Sequence, residues 1–330
     1  MISKILVLGA GVLGSLYAGK LSLAGYNVTL LARGKRLEEL QEHGLRLIKD
    51  GCDQVETVPL QITNRLDPSD AYDLVLVIVR KNQLDAVLPM LAANTNTPNV
   101  LFLVNNAEGP QTLMQTIGAS RVLLGFPGAG GQRSDGLVRY RVTGKLIQPT
   151  TLGEVGGQKS ERLTQIAKAL KKAGFPVVFS RNMDAWLKTH VSIVSPVANA
   201  LYLTRGSNYR LARTPDGLIL MVRAVKEGLH VLKALRIPIT PNKYQFLAWL
   251  PERLLIPVLK IGFYTPQAEL VLARHANAAR DEMHILAEEF DALARESGVP
   301  TPNLDLLARS LDPDYPTMPE GQTTLKMTWA

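Results

Sequence analysis

The feature that most constrains this chain is short. The segment KILVLGAGVLGSLYAG puts Gly9, Gly11 and Gly14 directly after an apolar, strand-like run and at the opening of a stretch with helical spacing. A strand that passes into a helix over so few residues needs Gly9 for the tight turn and Gly14 for close helix–strand packing. Gly11 leaves the backbone bare where an anionic ligand could approach it. The following helix N-terminus adds free N–H groups and a partial positive charge, which suit a pyrophosphate. Gly9, Ala10, Gly11, Val12, Leu13 and Gly14 are therefore candidate dinucleotide-binding residues.

The next strand-like run, NVTLLA, ends in RGKR, with Arg33 lying 19 residues past Gly14. An acidic side chain usually takes the ribose 2′-hydroxyl of NAD at that corner. Here the corner is basic. A guanidinium fork suits a 2′-phosphate, because it can donate two parallel hydrogen bonds to one anion. NADP(H) is thus expected over NAD(H), with Arg33 leading and Lys35 or Arg36 assisting. Arg80 ends the run DLVLVIV and Asn105 follows NVLFLV, so both should reach the carboxyl edge of the same sheet, Arg80 toward the cofactor and Asn105 toward the nicotinamide or the substrate.

Up to about residue 180, wholly apolar runs (KILVLG, NVTLLA, DLVLVIV, NVLFLV, RVLLGF) alternate with helical patterns, which predicts a parallel sheet covered on both faces. Residues 137 to 155 read as antiparallel strands appended to it, with a turn at Thr143-Gly144. Beyond Ser180 the pattern is helical, with periodic segments at 184–203, 214–235, 242–259 and 265–297, and a proline-rich tail after Leu311 expected to be extended or loosely packed. The expected fold class is α/β: a Rossmann-type doubly wound parallel sheet over 1–180, then an all-α substrate domain over 181–330.

The totals narrow the function. The 330 residues carry a formal net charge of +8, but Lys and Arg are scattered, which argues against nucleic acid as partner. Cys52 is the only cysteine, so neither a disulfide framework nor a cysteine-based zinc cluster can form, and no metal is expected. Glycines interrupt the apolar N-terminus, and no apolar stretch reaches the ~18 residues of a membrane span. A cytoplasmic protein without a membrane partner is the expectation; a homodimer is left open.

Carbonyl chemistry with a nicotinamide needs a proton donor as well as a hydride. In DAWLKTHVSIVSPVANALY, Lys188, Ser192, Ser195 and Asn199 stand at i, i+4, i+7 and i+11, one polar stripe on an otherwise apolar helix. His190 lies about 200° around that helix from Lys188, so only one of them can face the site. Lys188 shares its face with the stripe and is favoured; His190 reads as a core histidine. Pro196 should kink the stripe near Ser192.

With these residues in view the chain resembles the ketopantoate reductase family, the NADPH-dependent 2-dehydropantoate 2-reductases of pantothenate synthesis. The resemblance is carried by GAGVLGS, by ARG after the second strand, by VRKNQ at 79–83, by VNNAEG and by WLK. It implies that Lys188 is the general acid, that Asn105 contacts substrate, that Arg80 replaces a strand-end lysine, and that Glu282, counted back from Gly298 and Pro302, holds the substrate hydroxyl. Asn208 in GSNYRL matches a later substrate-contacting asparagine with shifted spacing. Ser192, Ser195 and Pro196 depart from a pattern that has asparagines and a later proline, which leaves another small 2-oxo acid or ketone open as substrate. The rival reading is a non-catalytic NADP(H)-binding redox sensor or regulatory partner.

Overall fold

The structure is a computed structural model and describes residues 2–328. The chain divides into two units, Met1–Asn105 with Gly109–Asp184, and Asn106–Glu108 with Ala185–Ala330. The division falls within the first turn of a long helix rather than at residue 180, and the short Asn106–Glu108 turn belongs to the second unit.

In the first unit the strands are β1 (Lys4–Leu8), β2 (Asn27–Leu31), β3 (Leu45–Lys49), β4 (Val55–Val58), β5 (Gln61–Thr63), β6 (Leu74–Val77), β7 (Val100–Leu103), β8 (Val122–Phe126), β9 (Ala129–Ser134), β10 (Leu137–Val142), β11 (Thr150–Glu154) and β12 (Val177–Phe179). Its helices are α1 (Val12–Leu23), α2 (Lys35–His43), α3 (Leu88–Ala93), α4 (Gln111–Ile117) and α5 (Glu161–Lys172). The main sheet runs β12-β11-β8-β7-β6-β1-β2-β5. Its strands from β5 to β8 are parallel, in the order expected of a doubly wound nucleotide-binding sheet. Their side chains are buried along β1, β6 and β7 because helices cover both faces, which is why these strands read as unbroken apolar runs.

Two expectations about this unit need correction. The hairpin turn is at Asp135-Gly136, where φ is +50° and +71°, and it joins β9 to β10. An Asp-Gly pair with both residues left-handed matches the right-handed twist of the flanking strands, a signal stronger than Thr143-Gly144. The resulting hairpin joins β3 and β4 in a second sheet of order β4-β3-β10-β9, which the apolar-run criterion missed because β4 is mostly exposed. Only β11 adds to the main sheet, antiparallel to β8. Helix α1 lies against strands of both sheets, and Gly19 permits the approach: a Cβ there would stand 2.6 Å from Leu47 Cδ1.

The second unit is helical: α6 (Met183–Leu203), α7 (Asn208–Arg213), α8 (Pro215–Ala234), α9 (Glu252–Phe263), α10 (Pro266–Ala268), α11 (Arg274–Ala278), α12 (Arg280–Ser297) and α13 (Pro302–Ala308). Helix α6 runs through Pro196. The helix expected over 242–259 is a 3₁₀ segment, Asn242–Ala248, followed by α9, with Pro251 in an extended conformation at the N-cap of α9 and disfavouring the helical conformation at Leu250. The helix expected over 265–297 is broken by a π turn at Glu269–Ala273 and again at Ala279. At the second break the Ala276 carbonyl accepts from Tyr202 Oη at 2.5 Å and from Ala279 N at 3.1 Å, so it is not available to Arg280.

The tail after Leu311 is extended but firmly held. Asp216, in the first turn of α8, accepts from Thr324 N, Thr324 Oγ1, Leu325 N and Gln322 Nε2 at 2.7 to 3.1 Å. Burial opposes its charge, but these bonds outweigh burial and leave the carboxyl below its usual range. Among the described residues no helix is long and apolar enough to cross a membrane.

Candidate active site

The glycine loop between β1 and α1 is built on backbone contacts that admit no side chain. A Cβ on Gly14 would lie 1.7 Å from Gly9 O, and one on Gly9, whose φ is +111°, would lie 2.3 Å from Ile78 O. Gly11 differs. It is exposed, caps the N-terminus of α1, and has no atom within 4 Å of where a Cβ would stand. Val12 and Leu13 are half-buried in the first turn, while Ala10 is buried. Open space beside a bare backbone, at a helix start, fits a dinucleotide pyrophosphate.

The neighbouring parallel strands deliver the other candidates to one edge of the main sheet. Gly9 follows β1, Arg33 follows β2, Arg80 follows β6 and Asn105 follows β7, four strands that are adjacent in the order β2-β1-β6-β7. Arg33 is exposed, with Nη2 3.7 Å from Met90 Sδ, and Lys35 is exposed beside it. Arg80 is half-buried at the start of a 3₁₀ turn, and Asn105 is buried.

Arg36 is not available for a phosphate in the way the sequence suggested. It is buried, and its guanidinium donates to Ala10 O (3.2 Å), Ser15 Oγ (3.2 Å), Gly136 O (3.3 Å) and Glu39 Oε2 (3.0 Å). Burial lowers its pKa, and the Glu39 contact opposes that. Arg36 braces the glycine loop from behind, with Ser15 Oγ donating to the same Ala10 carbonyl at 3.2 Å.

In the second unit the stripe on α6 is buried along its length: Lys188 is 9% exposed, Ser192 0%, Ser195 3% and Asn199 1%. The Ser192 hydroxyl donates to Thr189 O at 2.8 Å, and its Cβ lies 3.1 Å from the Cβ position of Gly228 on α8, so Ser192 also serves helix packing. The Asn199 carbonyl accepts from Ser310 Oγ at 2.7 Å, whereas its side-chain Oδ1 is buried with no hydrogen-bond partner among the described residues. His190 stacks on Trp186, ring centroids 5.4 Å apart and planes 10° apart. Burial, and then the charge of His275, push its pKa down to about 3, so the imidazole is neutral at ordinary pH.

Glu282 is buried, 3% exposed, in the first turn of α12, where a negative charge meets the positive end of the helix dipole. Asn208 instead joins two helices, its Nδ2 donating to Phe263 O at 2.7 Å and Thr265 O at 3.2 Å and so tying α7 to the end of α9. Glu289 was not marked by any local sequence signal. Its carboxylate accepts from Ala107 N at 2.8 Å and Glu108 N at 3.2 Å, which fixes the turn that follows Asn105 and Asn106.

Comparison with known proteins identifies relatives of the chain and of its fold. Residues 5–157 match the family model described as ketopantoate reductase PanE/ApbA. A 2-dehydropantoate 2-reductase of Halobacterium salinarum is 31% identical over 236 residues, covering 70% of this chain and 75% of that protein. One of Mesorhizobium japonicum is 29% identical over 261 residues, covering 69% and 77%. Among solved structures, a 2-dehydropantoate 2-reductase of Geobacter metallireducens superposes with a TM-score of 0.75 at 18% identity, covering 93% of this chain and 98% of that one. A D-mandelate dehydrogenase holding NADH and anilino(oxo)acetate gives 0.74 at 19%, covering 93% and 97%. These two show the same fold, an N-terminal Rossmann domain followed by a helical one. A nicotinamide dinucleotide fits the glycine cradle, and the chain belongs to the ketopantoate reductase family of oxidoreductases.

Proposed function

We propose that this protein reduces a 2-oxo acid with NADPH, 2-dehydropantoate foremost, and that Lys188 is the general acid. The observation that carries the proposal is a lysine only 9% exposed on the apolar helix α6. Burying an ammonium is costly, and a chain that does so without need would lose stability. The NADPH preference is supported by Arg33 and Lys35, exposed at the end of β2 with no carboxylate between residues 31 and 36. When bound, the nicotinamide supplies the hydride to the keto carbon. Lys188 gives its proton to the keto oxygen as that oxygen gains charge, so the C=O becomes CH–OH. Glu282 accepts a hydrogen bond from a substrate hydroxyl, and Asn105 orients the acid. Asn199, with a buried and unpartnered Oδ1, suits a second donor on the substrate.

A second reading, another 2-oxo acid as substrate, rests on Ser192 and Asn208. Both spend hydrogen bonds on the backbone rather than holding them for a ligand. The test is a substrate panel of aliphatic and aryl 2-oxo acids followed by loss of NADPH absorbance. Turnover that falls ~10²–10⁴-fold in Lys188→Ala, with NADPH affinity retained, is the expected result. Tight NADPH binding with no turnover on any acid would leave the redox-sensor reading standing instead.

A further inference from the structure

We propose, resting on the reductase reading above, that Glu289 is a positioning residue for the reduction: it holds the turn after β7 so that Asn105 meets the substrate in one orientation. Glu289 Oε2 accepts from Ala107 N at 2.8 Å and from Glu108 N at 3.2 Å. The N–H groups of two successive residues thus converge on one oxygen, supplied by a residue 182 positions beyond Ala107. Ala107 itself is wholly buried and belongs to the apolar core of the second unit. The turn is therefore seated twice, by a methyl group in that core and by a carboxylate on its backbone.

Asn105 stands two residues after Leu103, which pairs with Gly125 on β8, and two residues before Ala107. Its backbone is thus fixed on both sides at short range. No helix or strand covers residues 104–110, so side chains from elsewhere have to set their path. Helix α12 suits the task. Glu282, the partner assigned to the substrate hydroxyl, and Glu289 are seven residues apart on it, which places them about 20° apart around the helix and about 10 Å apart along it. One rigid element then carries both the group that meets the substrate and the group that aims Asn105. Accuracy is what a carboxylate contributes here: its hydrogen bonds are stronger than those of a neutral acceptor, and a misplacement of ~1 Å at a reacting centre can cost ~100-fold in rate.

Amide hydrogen exchange on the full chain, read by mass spectrometry over residues 104–110, tests the tie without any substrate. Glu289→Ala should speed exchange there roughly 10–100-fold, whereas Glu289→Gln, whose amide oxygen can stand where Oε2 stands, should stay near the parent. Alanine favours helices and Glu289 is only half-buried, so both variants should fold. Turnover of the 2-oxo acid then completes a double-mutant cycle with Asn105→Ala. Glu289→Ala should lower kcat/KM on the order of 100-fold in the parent background and less than about 3-fold once residue 105 is alanine, with most of the parent rate restored in Glu289→Gln. Losses that multiply in the double variant, a Glu289→Gln protein as slow as Glu289→Ala, exchange unchanged by Glu289→Ala, or a Glu289→Ala chain that cannot fold each overturn the positioning role. A parent that turns over no 2-oxo acid defeats the reductase reading and this role with it, and the exchange result distinguishes that failure from an absent tie.

Discussion

Gly11→Ala and Gly14→Ala each add one methyl to the same loop, yet the structure requires them to fail in different ways. At Gly14 the new Cβ would stand 1.7 Å from Gly9 O, where real Cβ atoms keep at least 3.0 Å, so strand and helix would have to part by about 1.3 Å. Neither side can yield cheaply. A Cβ on Gly9 would in turn meet Ile78 O at 2.3 Å, and both obstacles are backbone, with no rotamer to relieve them. Overpacking of this kind costs about 1–3 kcal/mol, a sizeable part of a domain's stability, and should lower the melting temperature by roughly 2–12 °C.

At Gly11 the opposite holds. Its φ of −70° and ψ of −165° suit alanine, the residue is exposed, and no atom lies within 4 Å of the added methyl. Stability should change by less than about 1 kcal/mol. The methyl would instead occupy the space a pyrophosphate needs against the helix start. A displacement of ~1 Å there should weaken NADPH binding on the order of 100-fold. Thermal melts without nucleotide and a fluorescence titration with NADPH separate the two effects. Gly14→Ala melting with the parent, or Gly11→Ala binding NADPH undiminished, would refute the assignment of roles.

Two further outcomes follow from single side chains. Arg33→Asp replaces a phosphate partner by a repelling carboxylate at an exposed site, so NADPH affinity should fall about 100-fold, worth ~2–3 kcal/mol, while NADH affinity changes little. Equal losses for both nucleotides in parallel titrations would defeat it. His190, with its folded pKa pushed down to about 3 against 6.5 ordinarily, takes up a proton in the unfolded chain first. Its contribution to stability is therefore complete above pH 6.5 and declines as pH falls toward 3, by about 2 kcal/mol between pH 7 and pH 5. In urea unfolding His190→Gln should lose this part of the pH dependence and keep its turnover. Parallel pH profiles for parent and variant would show that burial does not hold the imidazole neutral.

Much of the fold was legible where local backbone demands are strict. Gly9 and Gly14 stand where no Cβ fits, and a chain with that pattern between a strand and a helix has few alternatives. The parallel strands were legible because burial on both faces leaves only apolar residues along them. The second sheet was not, since β4 shows three exposed residues in four and reads like loop. Breaks at Glu269–Ala273 and Ala279 contain no glycine or proline. The second arises from a partner far away in sequence: the Tyr202 hydroxyl takes the Ala276 carbonyl, a bond between residues 74 apart that no local pattern announces.

The same distinction governs the site. RGKR offers three cations in four positions, and composition alone cannot rank them. Helix α2 begins at Lys35, so Arg33 stays on the exposed end of a strand, while Arg36 and Leu40, four residues apart, share the inner face and are both buried. A guanidinium carried inward must find acceptors, and Ala10, Ser15, Gly136 and Glu39 provide them. The Leu40 spacing was the signal that could have assigned Arg36 to the loop's support. Nothing comparable marks Ser192 or Asn208, whose polar atoms could serve a ligand equally well until the carbonyls of Thr189, Phe263 and Thr265 are seen to engage them. A polar residue on a buried helix face carries no sequence mark of whether its partner will be backbone or substrate.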